Sequence, residues 1–152
     1  VFDKLQAVLA HALCSIGAVK GIEFGAGFKV AGMRGSENND QPLLTPAGKI
    51  RFRTNNAGGI LGGFSTGEDI IVRLAVKPTP TISIRQTSIN MRTMQEEPLL
   101  PITRRDPTLL ARIYAVAEAM AAIALLDEMY LTAAADRFAH LDAKWVRLRS
   151  PQ

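Results

Sequence analysis

Cysteine is almost absent: Cys14 is the single one in 152 residues, so no internal disulfide can form. With two histidines beside it, no Cys/His set has metal-ligand spacing. A reducing, intracellular compartment, the cytoplasm, is the expectation. Aromatic residues are scarce as well, and one Trp with two Tyr offers little for stacking on bases. The net charge is a modest +4, and its carriers Arg34, Lys49, Arg73, Arg85, Arg92 and Arg112 are scattered along the chain. With only a modest group at Lys144, Arg147 and Arg149, a nucleic-acid partner is not expected. No apolar run reaches the roughly 20 uninterrupted residues of a membrane span. The opening Val1-Phe2-Asp3-Lys4 lacks the basic stretch and apolar run of a signal peptide. Gly and Pro, 12 and 8 residues without a triplet period, exclude a collagen-like chain.

What remains is ordinary globular composition, 47% hydrophobic and 21% charged, enough for one domain or part of a larger one. From Asp3 to Ile16, Leu5, Val8, Leu9, Ala12, Leu13 and Ile16 recur at spacings of three and four, one face of an amphipathic helix that Gly17 ends. Cys14 is expected as a small core residue on that helix and His11 on its surface. Ala18 to Phe24 reads as a short strand before a Gly25-Ala26-Gly27 turn. A polar, turn-rich segment covers residues 35–42, and Ile50-Arg51-Phe52-Arg53 alternates like a strand. Residues 54–67 hold five glycines in 14 positions, too many for an element interior of any length. Ile70, Val72, Leu74 and Val76 then share one face of the clearest strand, which Pro78 and Pro80 end. A strand or hairpin is expected within Ser83 to Thr103. Asp106-Pro107 supplies a cap and a first-turn proline, opening a long run without Gly or Pro. Ile113, Val116, Met120, Ile123 and Leu125 make this helix apolar almost all round, so burial is expected. Thr132 to Arg149 continues as a more polar helical segment.

Two groups of residues could carry chemistry. The glycine run is followed by Lys77-Pro78-Thr79-Pro80-Thr81. Backbone open to close approach, beside a lysine and two hydroxyls, suits an anionic cofactor with a flat ring; a set of plain turns is the competing reading, and the spacing matches no Walker or dinucleotide fingerprint. At the head of the long helix, Arg104-Arg105-Asp106-Pro107 is either a capped start with solvated arginines or a carboxylate kept ionised beside cations that hold an anion.

Gly35-Ser36-Glu37-Asn38-Asn39-Asp40, residues 54–67 from Thr54-Asn55-Asn56-Ala57-Gly58-Gly59 to Thr66-Gly67, Lys77 to Ile82, and Arg104-Arg105-Asp106-Pro107 with Ala115 to Met120 resemble chorismate synthase in order and spacing. The opening Ala12 to Gly21 is similar too, so the likeness covers about residues 1–130, leaving 131–152 as a divergent helical tail on a single region. The resemblance implies an α+β sandwich of long helices between antiparallel sheets, assembled as a homotetramer. It implies a lyase that uses reduced FMN to convert 5-enolpyruvylshikimate 3-phosphate to chorismate and phosphate by 1,4-elimination. Flavin contacts would fall on Gly17, Ala18, Gly62, Lys77, Pro78, Thr79, Pro80, Thr81 and Arg104, and Asp106 matches the catalytic aspartate placed near the flavin N5. Arg105 departs from the family's usual His or Ser and adds charge there. Whole members are more than twice this length. Their Gly-x-Ser-His-Gly segment and two catalytic histidines have no counterpart here, so the chain is expected to be a C-terminal portion with little activity alone. A non-catalytic fragment or descendant that keeps only the fold and flavin or partner binding is the alternative.

Overall fold

The computed structural model describes residues 2–100 and 108–149, with side chains up to residue 133. Helix α1 spans Leu5–Cys14, with Leu9 and Leu13 of its periodic face buried. No side chain caps its start. The Gly63 carbonyl instead accepts the first helical N–H, from Leu5, at 2.9 Å, so a neighbouring hairpin satisfies one of the donors a helix leaves open. Cys14 is exposed, which corrects the core expectation: it lies one position beyond Leu13, about 100° round the helix from the buried stripe. His11 is exposed, as expected.

Strand β1, Val19–Phe24, pairs antiparallel with β6, Val72–Val76, from Val19 opposite Val76 to Phe24 opposite Val72. Along β6 the residues Val72, Leu74 and Val76 are half-buried and Arg73 and Ala75 exposed, the alternation read from the sequence. The register shifts between Val19 and Gly21, leaving Lys20 as the extra residue of a bulge. Between these strands come a 3-10 turn at Gly27–Gly32, strands β2 (Pro42–Leu44) and β3 (Ile50–Phe52), and the minimal hairpin of β4 (Ile60–Leu61) and β5 (Phe64–Ser65). The last pair is β7, Gln86–Asn90, with β8, Gln95–Leu99, inside the segment for which the sequence predicts a strand or hairpin. Every sheet among the described residues has two antiparallel strands.

Helix α2, Leu110–Arg149, is one element of 40 residues that takes in the polar tail without a break. The Asp106-Pro107 start lies outside the described residues; within them the Thr108 hydroxyl accepts the Leu110 N–H at 3.2 Å. α2 packs on α1, and Leu9, Ile60 and Ala124 form the centre of the core with Leu5, Val8, Ala121 and Leu125 around them. The expectation that α2 is buried holds only for this stripe. Tyr114, Ile123, Met129 and Tyr130 are exposed, because a helix apolar on all sides needs partners on several sides and these residues supply them on one. No helix among the described residues is long and apolar enough to cross a membrane.

Candidate functional site

A network of carboxylates and amides holds the glycine run in place. One oxygen of Asp40 accepts from the Thr54 hydroxyl at 2.6 Å, the Asn56 N–H at 2.9 Å and the Asn56 side-chain amide at 3.1 Å; the other accepts from the Ala57 N–H at 2.8 Å. Asn55 bridges onward, accepting from the Gly59 N–H at 2.7 Å and donating to the Asp69 carbonyl at 2.9 Å. Glu68 accepts from the Phe52 N–H at 2.9 Å and pairs with Arg51 at 2.9 Å. Burial pushes the Asp40 carboxyl up, but the Thr54 hydroxyl and the Ala57 and Asn56 donors outweigh it and hold the group below its usual 3.8. Glu23 is likewise held below 4.5, by the Arg73 side chain first and then by the Phe28 N–H, and Arg73 also donates to the Gly25 carbonyl at 2.6 Å.

Both carboxyls are more acidic folded than unfolded, so each contributes stability above its unfolded value and loses it as the pH falls through its folded value. The unfolding midpoint should therefore stay level down to about pH 5 and drop below about pH 4. A midpoint that rises on acidification would contradict the role given to these two carboxylates.

The glycines divide by what surrounds them. Gly58 and Gly59, at φ of 65° and 78°, lie against backbone. A Cβ on Gly58 would meet the Gly25 amide, and one on Gly59 would lie 2.5 Å from the Asp69 carbonyl. Gly62 and Gly63 form the two-residue turn between β4 and β5, both at positive φ, as a mirror-image hairpin turn requires. Nothing lies within 4 Å of a Cβ on Gly62.

Of the residues matched to a flavin site, the fold brings Gly17 and Ala18 together with Lys77. The Ala18 carbonyl accepts the Lys77 N–H at 2.7 Å, which continues the β1–β6 pairing past the bulge. Ala18 has φ 72°, an uncommon conformation for a residue with a Cβ and one that recurs at ligand sites. Beyond Lys77 the backbone leaves the sheet, with Thr79 and Thr81 half-buried and Pro78 and Pro80 exposed. Among the described residues, the Lys77 ammonium and the two hydroxyls have no side-chain bond. A cation and two hydroxyls without a side-chain partner among the described residues, with an open turn at Gly17 that has nothing within 4 Å of a Cβ, are donors of the kind that fits a phosphate. The bulged Lys20 is exposed two positions from Ala18, and the bulge itself has no sequence signal, because it depends on pairing register rather than on composition.

Gly62 is not brought to this edge. It sits beside the start of α1 and Gly17 follows its end; ten helical residues separate them by about 15 Å. Arg104 and Asp106 lie outside the described residues. Among the described residues, no group of three or more His, Cys, Asp or Glu is placed to hold a metal.

The chorismate synthase family model matches residues 1–130. Chorismate synthase of Acetivibrio thermocellus is 56% identical over 150 residues, covering 97% of this chain and 38% of that protein. The Archaeoglobus fulgidus enzyme is 53% identical over 131 residues, covering 86% and 36%. The chain thus spans well under half the length of these curated relatives. A solved structure described as "Crystal Structure of Chorismate Synthase" aligns with a TM-score of 0.48 at 37% identity, over 49% of this chain and 22% of its own. With a family match that runs through both halves of the Ala18–Lys77 contact and the whole glycine run, the chain belongs to the chorismate synthase family.

Proposed function

We propose that this chain acts as part of an FMN-dependent lyase that converts 5-enolpyruvylshikimate 3-phosphate to chorismate and phosphate. The reaction is a 1,4-elimination: the carbon–oxygen bond to phosphate breaks with its electron pair, a proton leaves a carbon further along the ring, and a second double bond forms without net oxidation. When bound, reduced FMN supplies electron density for this loss and takes up the proton. The observation that carries the reading is the contact of Ala18 with Lys77, which joins two segments distant in sequence into one edge, next to the Thr79 and Thr81 hydroxyls in the chain.

In this reading the Lys77 ammonium pairs with the flavin phosphate, and Thr79 and Thr81 donate hydroxyl bonds between prolines that fix the backbone. Gly17 and Ala18 form the opposing wall. The family pattern also assigns to the cofactor Gly62, about 15 Å away along α1, and Arg104, and it gives Asp106 the role of assisting proton removal. The sandwich architecture, homotetrameric assembly and a cytoplasmic setting belong to the same proposal, as does independence from nucleic acid and membrane.

Asp106→Asn tests the chemical assignment in the assembled enzyme. FMN affinity should be retained while chorismate formation falls, because an amide replaces a carboxylate of similar shape. Undiminished turnover would reject the role of Asp106.

A further inference from the structure

Gly62 and Lys77 stand at opposite ends of α1, so a ligand that reaches both needs the β4–β5 hairpin fixed relative to the β1–β6 pair. Gly62 lines a hollow of about 280 Å3 together with Asp3, Lys4, Gly63 and Phe64. The hairpin is anchored at its tip, where the Gly63 carbonyl accepts the Leu5 N–H, and by Ile60 in the core. Its root is the segment 54–59. There the Asn56 carbonyl accepts the Ala26 N–H at 2.7 Å, just past the end of β1, and the Gly58 carbonyl accepts the Ile71 N–H at 3.2 Å, just before β6. The Asn55 side chain takes the Gly59 N–H where β4 is about to begin.

We propose that Asp40 is a positioning residue for cofactor binding: its carboxylate, without touching the ligand, fixes the root of this hairpin and so the place of the Gly62 turn relative to the Lys77 edge. The Thr54 hydroxyl, the Asn56 N–H and side-chain amide, and the Ala57 N–H all converge on its two oxygens, and the residue is half-buried. Only an acceptor-only group satisfies all of them, since an amide in its place would turn an NH2 toward at least one donor. With its tip bound to α1 and its root shaped by Asp40, the hairpin cannot pivot, and the hollow at Gly62 keeps its distance from the Lys77 edge. The role rests on the flavin reading above and adds to it a residue outside the ligand contacts.

Asp40→Asn separates positioning from folding, because the Lys77 edge can be probed by itself with inorganic phosphate. Nuclear magnetic resonance of the isotope-labelled chain follows the Lys77 amide as phosphate is added, and flavin fluorescence follows FMN. The unsubstituted chain should respond to both. Asp40→Asn, with its circular dichroism unchanged, should keep the phosphate response and lose FMN affinity by about tenfold or more, the lower end of what loss of an orienting partner costs at a metal site. A general loosening of the fold would weaken both ligands together and overturns the proposal, as does an FMN affinity that stays unchanged. If Asp40→Asn does not fold, Thr54→Val removes one bond to Asp40 in a similar shape and should show the same split to a smaller degree; equal FMN affinity in that variant overturns the role. An unsubstituted chain that binds no FMN overturns the flavin reading and this role together. One that binds FMN with no phosphate response at Lys77 overturns the two-ended site, and the role with it.

Discussion

Gly58→Ala should destabilise the chain by about 3 kcal/mol or more. Two costs combine. At φ 65° an alanine enters the left-handed region, at a cost of roughly 1–2 kcal/mol. Its Cβ would also lie 2.6 Å from the Gly25 Cα and 3.1 Å from the Ile71 carbonyl, and these are backbone atoms that cannot rotate aside. Gly25 is itself fixed, since its N–H donates to Ile71 and the next N–H, from Ala26, donates to Asn56 at 2.7 Å. Relief of the clash therefore breaks the junction between β1 and the glycine run. At about 2–4 °C per kcal/mol for a chain of this size, the melting midpoint should fall by about 6–12 °C. Gly67→Ala isolates the first cost: its φ is 85° but nothing lies within 4 Å of the added Cβ, so a loss of roughly 1–2 kcal/mol is expected. If calorimetry found the two variants equally stable, the close approach of Gly58 and Gly25 would not be what the loop requires.

Lys77→Ala should weaken FMN binding by about 1–3 kcal/mol, the range for a lost hydrogen bond to a charged group, read as roughly a 5- to 150-fold rise in Kd. The melting midpoint should not move. Lys77 is exposed, and its described bond, the N–H to the Ala18 carbonyl, is made by the main chain and survives the substitution. Binding and folding are thereby separated at one position. Lys77→Arg should restore most of the affinity, since a guanidinium also pairs with phosphate. Unchanged affinity in Lys77→Ala would remove the phosphate grip from this edge.

The elements set by local periodicity were legible in the sequence. The three-and-four spacing from Leu5 to Ile16 gives α1, and the alternation of Ile70, Val72, Leu74 and Val76 gives β6, because both patterns record a single buried face. Contacts between distant segments were not. Asp40 ties down Thr54, Asn56 and Ala57 from 14 to 17 positions away, and nothing in an acidic residue of a polar turn announces that partner set. The glycine run was readable as turns, but not that Gly58 and Gly59 serve backbone packing while Gly62 serves a hairpin turn. β2 escaped notice because three residues opening with Pro42 carry too little alternation to register. Cys14 and α2 show the same limit from the other side, since composition marks a residue as suited to burial and only the neighbours decide whether it is buried.

The candidate site follows that division. Gly17, Ala18 and Lys77 to Thr81 were picked out by resemblance, and Lys77 also by the chemistry of a cation before hydroxyls. Their meeting depends on the β1–β6 register, and the strained φ of Ala18 has no sequence signature in an alanine. Gly62, assigned to the same cofactor, stands at the other end of α1 for a local reason: its turn presents the Gly63 carbonyl to Leu5.

The central claim, that the Ala18–Lys77 edge belongs to a flavin site, is tested most directly by titrating the purified chain with FMN, oxidised and anaerobically reduced, with and without 5-enolpyruvylshikimate 3-phosphate, while following flavin fluorescence and absorbance. Saturable binding of one FMN per chain, tightened by the substrate, is the expected result. Flavin spectra that stay those of the free cofactor through the titration would contradict it.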